Sequence, residues 1–408
     1  MSSSASAERI VVLDVLRAIA LLGMLVTHFV IEFLAGPSPT EGFGSVHAPD
    51  RYVAFLVDMF ASDKFFSIFA FLFGLSFMIQ LENAARRGEA FEWRFAWRLV
   101  ILLAIGCAHQ VFFTGDVLMT YALLGMLLIP VRRLKNFVLV TLGLLLVFNL
   151  PGLVLDIAHT AHTPTPEQVH AAEQASRGFH EMAQRGFAIK SHGSLADLAR
   201  LNYGEGLEFK TAFLVHTGRL SITFGCFLLG MYAARTGLFV RSEENRRRMK
   251  ILLASALTIA IASTALTMIF PPWQVPRHPL RAEMEIDAQH ASLAAFYVAA
   301  ITLLFWRSRG PGILATLAPV GRMALTSYLM QTAFGVVLFY GIGFGLMGKL
   351  GATLAEVCAV AFFIVQLLFA HAWLTRFSMG PVEWLWRSLT HFRWQPMTRR
   401  AIPAAAGG

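Results

Sequence analysis

The stretch LDVLRAIALLGMLVTHF, residues 13–29, decides how this chain is read. It is mostly apolar and lies in a run, 11–34, long enough to cross a bilayer, for which ~20 residues suffice. Yet it carries Asp14, Arg17 and His28. Arg17 and His28 are eleven residues apart, close to three helical turns, so they share a helix face and lie ~16 Å apart along its axis. Asp14 precedes Arg17 by three residues and can pair with it, while Glu32 follows His28 by four and is positioned to accept its ring proton. Leu21 and Met24 lie between these two poles. Ionisable side chains at membrane depth are costly and normally face the protein interior. The pattern therefore predicts an inward face with a charged pole and an imidazole pole. The blander alternative makes Asp14 and Arg17 an interfacial anchor and His28 a packing residue.

The rest of the chain supports a membrane setting. Of 408 residues, 56% are hydrophobic and 14% charged. The apolar blocks predict an all-α polytopic membrane protein with about ten transmembrane helices, at 11–34, 63–81, 95–113, 116–131, 136–155, 211–234, 250–270, 290–306, 313–340 and 353–375. Strand alternation of the outer-membrane barrel type is absent. With ten spans, the basic connectors all fall on one side. They hold Arg86 and Arg87, Arg132 and Arg133, the segment 235–250, Arg307 and Arg309, and a tail with Arg387, Arg393, Arg399 and Arg400. Both termini are then cytoplasmic. The net charge of +9 is accounted for by these connectors, so no nucleic-acid partner is expected. Cys107, Cys226 and Cys358 each sit in an apolar block, which argues against a disulfide framework. The short N-terminal segment MSSSASAERI is followed by no small-x-small cleavage site, which argues against a removed signal peptide.

Four regions follow: a five-helix membrane half at 1–155, an extracytoplasmic helical loop at 156–209, a second five-helix half at 210–378, and an amphipathic helix with a basic tail at 379–408. In the loop, Thr165, Pro166 and Glu167 read as a helix start, and Ser194 with Asp197 as the capping box of a second helix. His159, His162, His170, His180 and His192 also lie there, with no compact metal-ligand spacing, so they read as solvated surface and no metal is expected. Glycines in FLFGLSF, LLAIGCA and FGCFLLGMY suit close helix packing. In GPVEWLWRSLT, Trp384 and Trp386 suit the cytoplasmic interface, and Glu383 is spaced to pair with Arg387.

Further ionisable residues share the level of His28: Lys64, His109, Asp116, His216 and Arg219. They predict a polar pocket in the outer half, where a histidine near carboxylates suits general-base work. On the inner side, Arg94, Arg98 and Arg322 suit an anionic ligand such as the phosphates of a coenzyme. Ordinary positive-inside anchoring is the competing explanation, and the better one for Arg98. Tyr328 and Gln331 follow Arg322 on the same span. No Walker loop, dinucleotide fingerprint, HExxH or nucleophile elbow occurs.

RIVVLDVLRAIALLGMLVTHF, KFFSIFAFLFGLSF, RLVILLAIGCAHQVFFTGDVLMTYALLGMLLIPVRR, GRLSITFGCFLLGMYAARTGLF, VGRMALTSYLMQ and GPVEWLWRSLT together resemble the YeiB-type family of bacterial membrane proteins. That family's C-terminal half is a domain of unknown function, and the resemblance covers almost the whole chain. The family is similar in turn to transmembrane acyltransferases, including acyltransferase family 3 and the lysosomal heparan-sulfate glucosamine N-acetyltransferase. The shared features are the first span and the pair Phe65–Phe66. Family 3 carries a basic residue, ten residues and then histidine, a spacing that Arg17 and His28 fit. YeiB-type chains often have asparagine where His28 stands. This chain also lacks the family-3 SGF after the phenylalanine pair.

The resemblance implies a bacterial cytoplasmic (inner) membrane protein that uses acyl-CoA as a cytosolic co-substrate, with no tightly bound cofactor. Arg17, Asp14, Arg94, Arg98 and Arg322 would hold the donor. A small-molecule or glycan acceptor would enter from outside, against Lys64, His216, Arg219, Tyr328 and Gln331. His28 would deprotonate it, with His109 and Asp116 or Glu32 orienting or relaying. Membrane lipid is the other expected partner, and a homo-oligomer is left open. The rival is a transporter or flippase, since two five-span halves around the long loop would be oppositely oriented, as in inverted repeats. A non-catalytic scaffold is the third reading.

Overall fold

The first helix, α1 (Ser3–Thr27), passes without a break into a π-helical turn, His28–Phe33, in a computed structural model of the protein. The structure describes residues 3–34, 48–88, 91–154, 165–269, 279–307 and 312–398. Apart from one isolated bridge between Phe377 and Thr398, the regular elements among the described residues are helical. The first set is α2 (Ala48–Phe60), α3 (Lys64–Arg86), α4 (Glu92–Gln110), α5 (Leu118–Met126), α6 (Leu128–Val131) and α7 (Asn136–Val147). Next come α8 (Pro166–His192), α9 (Leu195–Tyr203), α10 (Glu205–His216), α11 (Arg219–Arg235), α12 (Glu243–Ile269) and α13 (Pro279–Arg307). A 3-10 turn (Ile313–Leu317) leads to α14 (Ala318–Arg322), α15 (Ala324–Phe339), α16 (Ala352–Arg376) and α17 (Pro381–Thr390).

Helix α1 is the hub. Val12, Leu16, Ala18, Ala20 and Leu21 are all buried in the main apolar core. Surrounding elements cover this helix on more than one face, which is why its apolar residues form no single stripe. Helices α3 and α11 cross at very short range. A Cβ on Gly74 would overlap the Phe227 carbonyl, and one on Gly230 would overlap the Phe71 carbonyl. Each helix thus offers a glycine to the backbone of the other, the small-residue packing expected from FLFGLSF and FGCFLLGMY. The three cysteines are free.

Among the described residues, five helices are long and apolar enough to cross a membrane, or up to seven if each of two bent pairs counts as one span. The bent pairs are Leu195–His216 with Arg219–Arg235, at 64°, and Ile313–Arg322 with Ala324–Phe339, at 83°. The distance from the expected ten is greatest between residues 92 and 154. There α4 carries Glu92, Arg94 and Arg98 in its first turns, the run at 116–131 breaks into α5 and α6 at Leu127, and α7 has only 12 residues. There charges and breaks divide the apolar blocks into helices shorter than the runs.

The long connector is helical, as its start signals indicate. Helix α8 begins at Pro166, and Ser194 and Asp197 form a capping box at the start of α9. His159, His162, Arg309, Arg399 and Arg400 lie outside the described residues.

Candidate functional site: a mixed-charge cavity

The residue that opens the π-turn, His28, lines a cavity of about 750 Å³ at one end of the bundle. The cavity wall is built from far-apart segments. Met24, Thr27, His28, Ile31 and Glu32 come from α1 and the π-turn, Asp58 from α2, and Phe65 and Phe66 from α3. Asp116 comes from the α4–α5 turn, Lys190 from α8, Lys210 and His216 from α10, Arg219 from α11, and Asp287 and His290 from α13.

The sharpest geometry lies behind the α4–α5 turn. His109 Nδ1 is 2.7 Å from Asp116 Oδ1, and both residues are buried. The second carboxylate oxygen of Asp116 accepts the Met119 N–H at 2.9 Å, capping α5, and lies 3.8 Å from Lys210 Nζ. A carboxylate holding Nδ1–H selects the tautomer with a bare Nε2. That Nε2 is buried and has no hydrogen-bond partner among the described residues. The Phe113 ring joins the two imidazoles, with its centroid 4.9 Å from that of His28 and 5.8 Å from that of His109. His28 therefore packs on Phe113, and no hydrogen bond joins it to Glu32 among the described residues.

The turn is held by α9, part of the helical segment α8–α10 that caps it. Asn202, fully buried, donates to the Val111 carbonyl at 2.8 Å and accepts from the Thr114 hydroxyl at 2.8 Å, while its own carbonyl accepts from Gln110. Gln110 Oε1 in turn accepts from Lys210 Nζ at 2.8 Å. A second polar group faces the cavity from the side. Asp63, in the left-handed region at φ 69°, pairs with Arg219 and lies 3.5 Å from His290 Nδ1. Lys190, on α8, is buried, and burial pushes its ammonium below the ordinary lysine range against the opposing pull of Glu32.

Of the residues expected at the outer level, His28, Glu32, Asp116, His216 and Arg219 line this cavity, and His109 stands behind it. Lys64 is fully buried beside it and donates to the Asp58 carbonyl at 2.8 Å. Tyr328 lies with its ring 5.1 Å from that of His109, and its hydroxyl receives the Val117 N–H. Gln331 belongs to a buried chain, donating to Gln366, which donates to the Ser327 carbonyl.

The expected inner residues lie apart from the cavity wall. Arg17 binds Asp14 and donates to the Ser76 hydroxyl at 2.8 Å. Ser76 is thirteen residues along α3 from Asp63, so ~20 Å separates the two levels. Arg98 donates to Gln80 Oε1 and stacks 3.9 Å above the Trp386 ring. Arg94 and Arg322 are exposed, and Arg322 donates to the Ser378 carbonyl at 3.3 Å. Glu383 does not pair with Arg387. It reaches the start of α15, accepting the N–H groups of Leu325 and Thr326 at 2.7 and 3.0 Å and the Thr326 hydroxyl. Burial raises its pKa against these donors.

Reading the sequence missed Asp63, Lys190, Lys210, Asp287, His290 and Asn202. The neighbours of Lys64 and Arg219 are assembled only by tertiary packing. Lys210 alone had a usable signal, an isolated lysine beside the apolar run at 211–234.

Residues 233–393 match the family model "Protein of unknown function (DUF418)". The "Uncharacterized protein YxaH" of Bacillus subtilis is 30% identical over 96% of this chain and 97% of its own length. The "Uncharacterized protein YeiB" of Escherichia coli is 30% identical over 94% and 96%. An "Uncharacterized 39.9 kDa protein in amylase 3'region" of Bacillus acidopullulyticus is 25% identical over 96% of both chains. No solved structure matches the chain significantly. With an end-to-end likeness to two such relatives and the shared C-terminal domain, this chain belongs to the YeiB-type family.

Proposed function

We propose that this protein is an integral membrane acyltransferase that moves an acyl group from cytosolic acyl-CoA to an acceptor bound in the cavity, a sugar or lipid-linked glycan with a free hydroxyl or amine. One observation carries the reading. Two imidazoles meet on the Phe113 ring, one at the cavity wall and one held by Asp116 with a bare Nε2. In this reading ten helices cross a bacterial cytoplasmic membrane, the basic connectors face the cytosol, and the cavity faces outward.

His28 takes the proton of the acceptor hydroxyl or amine as its oxygen or nitrogen attacks the thioester carbonyl. The C–S bond then breaks, and coenzyme A leaves as the thiol once it receives a proton. His109 and Asp116 supply a fixed proton acceptor beside this step. General-base catalysis of this kind contributes roughly 10²–10⁴-fold. The donor phosphates sit at the arginine-rich end, with Arg17, Arg94, Arg98 and Arg322. Between Arg17 and Met24, the first cavity residue on α1, the helix is closed by Ala18, Ala20 and Leu21. Transfer therefore requires this layer to open when the donor binds.

The two broken helix pairs favour a second reading, because discontinuous helices also build the substrate sites of transporters. One experiment separates the two. Purified protein in detergent is given acyl-CoA and a mixture of lipid-linked glycans, and free thiol is measured. An enzyme releases thiol without closed vesicles. No release, with uptake seen only in sealed proteoliposomes, replaces the acyltransferase with a transporter.

A further inference from the structure

We propose that the ligand of this cavity carries an oxyanion and that Lys190 holds it. The inference rests on the acyl-transfer reading only in calling that ligand the acceptor.

Lys190 is only 7% exposed and lines the cavity. Among the described residues its ammonium makes no hydrogen bond and has no carboxylate within the 4.0 Å ion-pair distance. The other two permanent cations on the wall are matched, Arg219 by Asp63 and Lys210 by Gln110 and Asp116. Glu32 is the acid that Lys190 feels, but from beyond contact. A buried ammonium without a partner is costly. A fold that keeps one at a cavity wall leaves the missing charge to a ligand.

The position is built. The Gly341 N–H donates to the Lys190 carbonyl at 2.8 Å, and a Cβ on Gly341 would overlap the Ser191 carbonyl. The same loop reaches the end of the π-turn, where the Gly348 N–H donates to the Leu34 carbonyl at 2.6 Å. The end of α8 is thus tied to the segment that carries His28 and Glu32. The starts of α3 and α11 also adjoin the cavity through Asp63 and Thr217, and neither is closed by a side-chain cap. Helix N-termini favour negative charge.

The remaining wall describes the rest of the ligand. Ile31, Phe213 and Ile286 line the cavity and are also 38–42% exposed, giving it an apolar rim. An anionic head with an apolar tail fits both features, which makes the ligand an acidic amphiphile such as a lipid phosphate. A free oxyanion shares the Lys190 chemistry without the tail.

The test uses the purified full chain with no acyl donor, so its outcome is independent of whether acyl transfer occurs. Binding of dioctanoyl phosphatidic acid is compared with that of dioctanoylglycerol, which lacks the phosphate, by native mass spectrometry. Wild type is expected to bind the phosphatidic acid at least tenfold tighter. Lys190→Met is expected to lose that preference, whereas Lys190→Arg and the same-helix control Arg185→Gln keep it. If Lys190→Met fails to fold, Lys190→Gln carries the comparison. Competition by inorganic phosphate at equal concentration assigns a soluble oxyanion. Its failure to compete assigns a lipid headgroup. Equal binding of the two lipids by wild type, or a preference that survives in a folded Lys190→Met or Lys190→Gln protein, overturns the proposal.

Discussion

The two ends of this bundle both bury charge, and they do so differently. At the cavity end, ionisable groups from the π-turn, α2, the α2–α3 and α4–α5 turns, α8, α10, α11 and α13 surround open space. At the other end, polar groups close on protein. Arg17 lies between Asp14 and Ser76, Arg98 between Gln80 and Trp386, Arg235 on the carbonyls of Arg132 and Leu134, and Glu383 on the first turn of α15. An intramembrane charge is a functional hint only until its partners are known. The difference lies in what each set of groups faces: open space at one end, packed protein at the other. Substitutions at the cavity end should therefore change chemistry more than stability, and those at the packed end the reverse.

The largest effect is expected at His28. His28→Ala should lower acyl transfer by about 100-fold or more, the loss typical of a removed general base. Its unfolding midpoint should stay close to that of wild type, because the ring faces a cavity and packs on one aromatic neighbour. Asp116→Asn should cost a similar factor, since an amide no longer selects the His109 tautomer with a bare Nε2. Both are read by thiol release in detergent alongside a thermal unfolding scan. Transfer within threefold of wild type in either variant would remove that residue from the chemistry. A collapse of the midpoint in both would make the cavity end structural as well.

Glu383 gives the mirror image. Its carboxyl group answers two backbone donors and a hydroxyl at the start of α15, so Glu383→Ala should destabilise by about 1–3 kcal/mol, the cost of leaving buried donors unmet. Glu383→Gln should lose much less. An amide oxygen accepts the same two N–H groups and its NH₂ can donate to Thr326 Oγ1, as a protonated acid would. The pH dependence follows from the raised pKa. A carboxyl whose folded pKa lies above its unfolded value binds more protons in the folded state. Its contribution is complete below the ordinary carboxyl range and declines as pH rises through the folded pKa. Chemical unfolding across that window should show stability falling with pH in wild type, and a flatter profile in Glu383→Gln. Equal slopes would sink the assignment.

This contrast also marks where the sequence stops being readable. Periodicity and local spacing carried far. They located α1 and its Asp14–Arg17 pair, the Ser194–Asp197 box and the glycine faces of α3 and α11, since each depends on residues close in the chain or on one helix face. The common level of His28, Asp116, His216 and Arg219 on one cavity wall was legible too, because each stands near one end of an apolar run. Whether a group at that level meets space or protein was not legible. Lys64 and Arg219 are both basic residues at the start of an apolar run, yet one is fully buried against a carbonyl and the other lines the cavity. Lys190 and Asn202 gain their positions from the docking of the cap, which no local pattern encodes. Likewise, Glu383 satisfies α15, 57 and 58 residues away, where helix spacing alone favoured Arg387.

The smallest effect is expected on the cap, and it separates docking from local helix stability. Ser194 closes α9 by accepting the Asp197 N–H, and the pair is exposed. Ser194→Ala should weaken the first turn of α9 by about 1 kcal/mol, typical for loss of an N-cap. That turn is nonetheless two helical turns from Asn202, whose three hydrogen bonds hold the cap to the α4–α5 segment. Amide exchange near residues 195–198 should quicken several-fold, while the amides around Asn202 and the rate of thiol release stay as in wild type. If exchange quickens at Asn202 as well, the cap opens as one unit, and the geometry around Asp116 depends on α9 from its first residue. If activity falls with it, the boundary between the cavity end and ordinary helix packing lies farther out than the buried Asn202.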